Sequence, residues 1–177
     1  MRGYKLVYDV DQNKKCVYNQ YGTPYELNRE YELSGELKYS KNGFHFSIYP
    51  EETLRFRDRS NGLLASNFTI VEIEADGKIE CGDDYIENEK FDTIGVYASS
   101  RMTVLRILPR EEVFNIILNS KNPLRMRKYI MFVKLTTEEI DLVKEYYNDF
   151  CTLGYIGYYQ HNDEKAFEKA YTRTLAY

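Results

Sequence analysis

The chain has 177 residues, with 24 Lys and Arg against 28 Asp and Glu, a net charge of −4 and a pI near 5.4. That acidic balance excludes general attraction to phosphate backbones, so non-specific nucleic-acid binding is disfavoured and nucleic acid has to be met by a local basic patch. Hydrophobic residues at 43% and charged residues at 29% exclude a disordered or fibrous chain and suffice for a full core, in one domain or one with a helical annex.

Residues 3–10 and 14–18 are short β-rich runs separated by Asp11-Gln12-Asn13, which predicts a hairpin. Tyr21-Gly22-Thr23-Pro24 reads as a turn, and Tyr25-Glu26-Leu27 and Tyr31-Glu32-Leu33 alternate as half-buried extended chain does, ending at Gly35. Lys41-Asn42-Gly43 opens a strand in which a period of two puts Phe44, Phe46 and Ile48 on one face and His45, Ser47 and Tyr49 on the other. Pro50, Glu51 and Glu52 then start a short helix running to Phe56 and fading by Asp58. Residues 67–74 give the strongest strand pattern, closed by an Asp76-Gly77 turn and answered by residues 78–81. Residues 93–97 and 102–108 read as two further strands separated by Ala98-Ser99-Ser100-Arg101.

Pro109 with Glu111 and Glu112 predicts a helix, with Val113, Ile116 and Ile117 as its apolar stripe, broken at Asn122-Pro123. Residues 124–135 fit a buried helix or a buried strand equally. Thr136 and Glu139 form a capping box ahead of a helix with Ile140, Val143, Tyr147 and Phe150 on one face. Leu153-Gly154-Tyr155-Ile156-Gly157-Tyr158-Tyr159 reads as a Gly- and Tyr-rich link, and Asn162-Asp163 caps a last helix carrying Phe167, Ala170 and Tyr171. The expected fold class is α+β. An antiparallel or mixed sheet with one short helix fills residues 1–108, and a helical region, 109–177, packs on it as one compact unit.

No apolar run approaches the roughly 20 residues of a bilayer span, and the first residues lack a signal peptide's apolar middle, so a soluble cytoplasmic protein without a membrane partner is expected. Cys16, Cys81 and Cys151 are too few and too far apart for a disulfide framework or a short-spaced zinc motif and read as reduced thiols, Cys151 as a core residue. Tyrosine is abundant, 18 residues with no Trp. That suits an interface, and it equally suits a coding sequence rich in A and T.

The motifs of phosphate loops, dinucleotide folds, zinc proteases, serine hydrolases and thiol redox sites are absent, and with only His45 and His161 a histidine-rich metal centre is excluded. No cofactor is expected. His45, beside Ser47 and ahead of a helix start, can bind a ribose or orient a hydroxyl, or it can brace the strand-to-helix turn. Glu72 and Glu74 share one side of their strand, as a carboxylate pair or as solvated acids. Asp83-Asp84 beside Gly82 reads as a solvated turn rather than a cation site. Two basic clusters, Arg55, Arg57 and Arg59, then Lys121, Arg125, Arg127 and Lys128, can dock phosphate or an acidic protein surface, or pair with local acids such as Glu51, Asp58 and Glu111. Tyr155, Tyr158 and Tyr159 join Arg55, Arg57, Arg59, Arg125, Arg127 and Lys128 as candidate binding residues.

Gly3-Tyr4-Lys5, Asn42-Gly43-Phe44-His45-Phe46, the Pro-led segment to Phe56 and the strand from Val71 to Gly77 resemble an uncharacterised domain family of phages and prophages, over about residues 3–108. The resemblance implies a non-enzymatic accessory protein that binds a host protein or protein–nucleic acid complex, for example as an inhibitor of a defence system in the host cytoplasm. Gly43-Phe44-His45-Phe46 before a Pro-led helix also resembles the nicotinamide-pocket segment of ADP-ribosyltransferases, with Arg2-Gly3-Tyr4 and Glu72 or Glu74 in the remaining roles. A structural or assembly protein, oligomeric in solution, is the third expectation. The family resemblance stops near Leu108-Pro109, which makes the β-rich part a scaffold and the helical part the carrier of specificity.

Overall fold

The computed structural model describes residues 1–19, 22–39, 41–56, 69–82, 95–163 and 165–166, without the side chains of Arg55 and Phe56. Contacts group them into two units, Met1–Arg57 with Phe68–Val113, and a second whose described part is residues 114–163 and 165–166. The fold is α+β, with, among the described residues, a β-rich N-terminal part carrying one 3-10 helix, followed by four α-helices.

In the first unit the predicted strand over residues 3–10 is divided. β1 (Arg2–Val7) joins a five-stranded sheet, while β2 (Asp9–Val10) turns away and pairs with β3 (Cys16–Tyr18) as the predicted hairpin. Asp11 closes the hairpin by accepting the N–H groups of Lys15 at 2.6 Å and Cys16 at 2.8 Å on one carboxylate oxygen. The Cys16 N–H above all holds this carboxyl below the usual carboxylate range. β4 (Pro24–Glu26) adds the third strand of this small sheet.

β5 (Glu30–Glu32), β6 (Phe44–Ser47), β7 (Thr69–Cys81) and β8 (Val96–Leu108) complete the larger sheet, in the order β5-β8-β6-β1-β7. β8 also pairs with β7 along its length, so β1, β7, β8 and β6 close into a ring whose last joint is the single pair Tyr4↔Ser47. Val7, Phe46, Val71, Ile73, Ala75, Met102 and Val104 fill the core of this unit, together with Val17 and Tyr25 from the small sheet. The 3-10 helix Pro50–Phe56 packs on β1 and β6 and buries Leu54. Glu51 and Glu52 lie buried in its first turn.

Two predicted breaks are strand. Asp76-Gly77 does not reverse the chain: β7 runs through it, and the pairing with β8 shifts by one residue between Asp76 and Ile79, a bulge with Gly77 at φ 73°. Ala98-Ser99-Ser100-Arg101 lies inside β8, where Ala98 and Ser99 pair with β6 on one edge and β7 on the other. Turn and bulge use the same glycine conformation, so partner strands decide between them. The Lys78 N–H is taken by the Ser100 hydroxyl at 2.9 Å, and a Cβ on Gly77 would overlap that hydroxyl. Gly77→Ala is therefore expected to cost about 2 kcal/mol, about half from the left-handed backbone and half from the displaced hydrogen bond. A urea midpoint equal to that of the parent chain would contradict this.

Arg106, near the C-terminal end of β8, ties β7 to Glu112 just beyond the strand. Its Nε donates to Glu72 at 2.6 Å and its two Nη groups form a fork on Glu112, at 2.7 and 2.8 Å. The guanidinium holds the Glu112 carboxyl below its ordinary range.

Helices α1 (Arg110–Asn119), α2 (Pro123–Phe132), α3 (Thr137–Tyr146) and α4 (Phe150–Tyr155) follow, and the division between the units falls inside α1. Asn122 does more than break α1: its side chain caps α2 through the Leu124 N–H, with Pro123 at the first helical position. The ambiguous segment is thus helix, burying Met126, Tyr129 and Ile130. The Thr136–Glu139 capping box is present in both directions. α3 stops at Tyr146, so Ile140, Val143 and Tyr147 are buried but Phe150 belongs to α4 and is exposed. The expected Gly- and Tyr-rich link is helical too, α4 passing into a π-helical turn, Ile156–Gln160. Gln160 is buried there and satisfied by the Leu135 N–H and the Ile130 and Val133 carbonyls. Cys151 is half-buried rather than core. The expected last helix lies mostly outside the described residues, though Asp163 caps the Lys165 and Ala166 N–H groups. No helix among the described residues is long and apolar enough to cross a membrane.

Candidate functional site

The β1–β6 joint is short. Beyond Tyr4↔Ser47 no further residues of the two strands are paired, and a cleft of about 280 Å³ is lined there by both strands. Tyr4, Lys5 and Leu6 of β1 and His45 and Phe46 of β6 line it, with Tyr8, Asn19 and Tyr25 contributed by and around the small sheet. The sequence dictates this in part. Lys5 stands opposite Val71 and two residues from Gly3, which stands opposite Ile73, so strand alternation turns Lys5 toward the apolar face of β1.

Lys5 is the chemical oddity of the cleft. Its Nζ donates to the His45 carbonyl at 2.8 Å, bridging the two strands, and no carboxylate among the described residues pairs with it. Burial without a counter-charge pushes its ammonium from 10.5 down to about 8. Burial likewise pushes the His45 imidazole down, aided by the nearby Lys5 charge and opposed by hydrogen bonding to the backbone of Tyr39 and Gly43. His45 Nε2 faces the Tyr39 carbonyl, so it carries the proton and donates. His45 therefore does both things the sequence left open: it lines a cleft and it braces a neighbouring loop.

The other candidates fall elsewhere. The Ser47 hydroxyl is buried, donating to the Gly95 carbonyl at 2.7 Å and accepting from the Tyr49 N–H at 3.1 Å. Glu72 is held between Arg106 and Arg2, and Glu74 lies exposed beside Asp76 and Glu30; neither lines the cleft. The carboxylate partner that an ADP-ribosyltransferase reading needs is thus absent from the described lining of the His45 cleft.

Arg57, Arg59 and Asp83-Asp84 lie outside the described residues, as does the side chain of Arg55. Arg127 spans to α4, its Nη2 on Asp149 at 2.6 Å and its Nε on Thr152 at 3.1 Å, so it is a brace within the helical unit. Arg125 and Lys128 are half-buried on α2, and Lys121 is exposed. Tyr155, Tyr158 and Tyr159 do come together: Tyr159 lies 5.5 Å from Tyr155 and 4.8 Å from Tyr158, ring centre to ring centre. Burial and these two neighbours push the Tyr159 hydroxyl up.

Sequence reading missed Lys5, Tyr8, Asn19 and Tyr25 as lining residues. For Lys5 a signal exists, since it shares a strand face with Gly3 and Val7, where a charge does not belong. For Asn19 and Tyr25 there is none, because only the folding-back of the small sheet brings them there. No protein-family model, no curated protein and no solved structure matches this chain.

Proposed function

We propose that this chain is a non-enzymatic accessory protein of the phage type that binds a host protein in the host cytoplasm, blocking a defence system being the activity such binding serves. The observation that carries the reading is on the helical unit. Leu142 and Tyr146, one turn apart on α3, are 40% and 51% exposed, and Phe150 at the start of α4 is 49% exposed. Exposed aromatic side chains of this size are the usual anchors of protein interfaces. Glu138, Asp141 and Glu145 share that exposed side of α3 at helical spacing, so the patch has an acidic rim. It fits a partner with an apolar groove edged by Lys and Arg. The resemblance of residues 3–108 to phage and prophage proteins supplies the biological setting.

The double variant Tyr146→Ala, Phe150→Ala tests this, since both side chains are exposed and the fold should be kept. Wild-type chain used as bait in host lysate should retain one stoichiometric partner, released by moderate salt, and the variant should lose it by more than tenfold. A partner recovered equally by both chains would sink the reading. Concentration-dependent dimerisation lost in the same variant would move this face to the assembly reading.

A further inference from the structure

We propose that the cleft between β1 and β6 is a binding site for a small monocarboxylate with a flat apolar body, the carboxylate seated on Lys5 and the body against Tyr4, Tyr8, Tyr25 and Phe46. Three observations converge on it. An ammonium has three donors, and Lys5 uses one of them, on the His45 carbonyl. The others belong to a half-buried cation with no carboxylate beside it among the described residues, and a partly desolvated charge is held at a cost to stability unless something pairs with it. The wall around it is aromatic, with Tyr4, Tyr8, Tyr25 and Phe46 all lining the cleft.

The charge count selects the ligand. Lys5 is the one cationic side chain among the described lining residues at neutral pH, because His45 is pushed toward its neutral form. A single carboxylate balances it, whereas a phosphate dianion would leave net negative charge in a partly desolvated site. At about 280 Å³ the cleft is at the small end of ligand pockets, which run from roughly 300 to 1,000 Å³. One ring and a carboxylate fit within it. That chemistry comes from two sources, a free aromatic acid or the C-terminal carboxylate of a peptide ending in an aromatic residue.

The probes are benzoate and its neutral isostere benzamide, with N-acetylphenylalanine and its amide standing for a peptide end. Binding is read from backbone amide shifts of the full chain between pH 6.5 and 9.5. The titratable groups lining the cleft with Lys5 are His45 of β6, Tyr4 of β1, Tyr8, and Tyr25 of β4. A carboxylate probe should bind at least tenfold more tightly than its neutral partner at pH 6.5, moving the amides of residues 4–8 and 43–46. Its affinity should fall steadily above pH 8 as the ammonium is lost, and Lys5→Met should abolish the preference. Benzoate binding without N-acetylphenylalanine assigns a free acid, and the reverse assigns a peptide end. Equal affinities for acid and neutral probe, an affinity flat in pH, or no binding by either acid would overturn the site. The pH profile of the wild-type chain decides the matter even if the variant fails to fold.

Discussion

Replacing Phe46 by Ala is expected to remove about 4 kcal/mol of stability, the middle of the range for a fully buried Phe, and so a large part of the roughly 5–15 kcal/mol that holds a domain together. Phe46 is 1% exposed and stacks on Tyr97 with ring centres 5.6 Å apart. It also seats the weakest joint of the closed sheet. A Cβ built on Gly3 would lie 2.5 Å from Phe46 Cδ2 and 2.8 Å from the Ser47 carbonyl, so the ring lies flat on β1 where only glycine leaves room. Truncation leaves a void at the strand pair Tyr4↔Ser47, next to an existing cleft, where collapse is resisted by β8 on the far edge of β6. Urea unfolding followed by far-ultraviolet circular dichroism measures the loss. The half-buried Phe44, on the same strand, provides the comparison: Phe44→Ala should cost about half as much. A Phe46→Ala penalty below that of Phe44→Ala would show that the joint is not where the sheet is held.

Lys5→Met is expected to stabilise the protein by about 2 kcal/mol at pH 7. Burial lowers the Lys5 ammonium from 10.5 in the unfolded chain to about 8 in the native one, so between these values the unfolded chain binds more protons. Stability therefore rises with pH from about 8 to 10.5, by roughly 3 kcal/mol at about 1.4 kcal/mol per pH unit. Below pH 8 the whole of that penalty is present. Methionine removes it while filling a similar volume, and gives back about 1 kcal/mol through the lost hydrogen bond to the His45 carbonyl. Unfolding midpoints of the two chains at intervals from pH 6 to 10.5 should converge as the pH rises and cross near pH 10, the variant being the more stable at the acid end. Parallel profiles would mean that Lys5 keeps its ordinary protonation when folded.

Local chemistry made α1 and α3 readable. The Thr136 capping box, the proline ahead of α1 with the acids of its first turn, and the Ile140–Val143–Tyr147 face each act within a turn or two, so their signals survive in the sequence alone. Long-range pairing erased the corresponding signals in the sheet. Asp76-Gly77 has the residues of a hairpin turn and becomes a bulge because β8 continues opposite it; Ala98 to Arg101 lack strand propensity and are strand because β6 and then β5 take one edge and β7 the other. Glycine misled again at residues 153–159. Gly157 sits where a Cβ would overlap the Ala166 methyl, so it permits close packing rather than flexibility. The site was half legible: His45 stood out by type and position, while Lys5 was hidden by the assumption that lysines are solvated.

The closed ring also sets a timetable for the ribosome. Arg2 in β1 pairs with Glu74, and β6 pairs with a strand that begins only at Val96, so β1 waits for β7 and the ring closes only after β8 has emerged. At about 5–20 residues per second β1 waits several seconds for β7, with an apolar face and an unpaired edge in solution. Helices α2 and α4, whose partners are close in sequence, have no comparable delay. β1 is thus paired long after it is made, and nascent-chain pull-downs should find it held by ribosome-associated chaperones until residue 81 is clear of the tunnel.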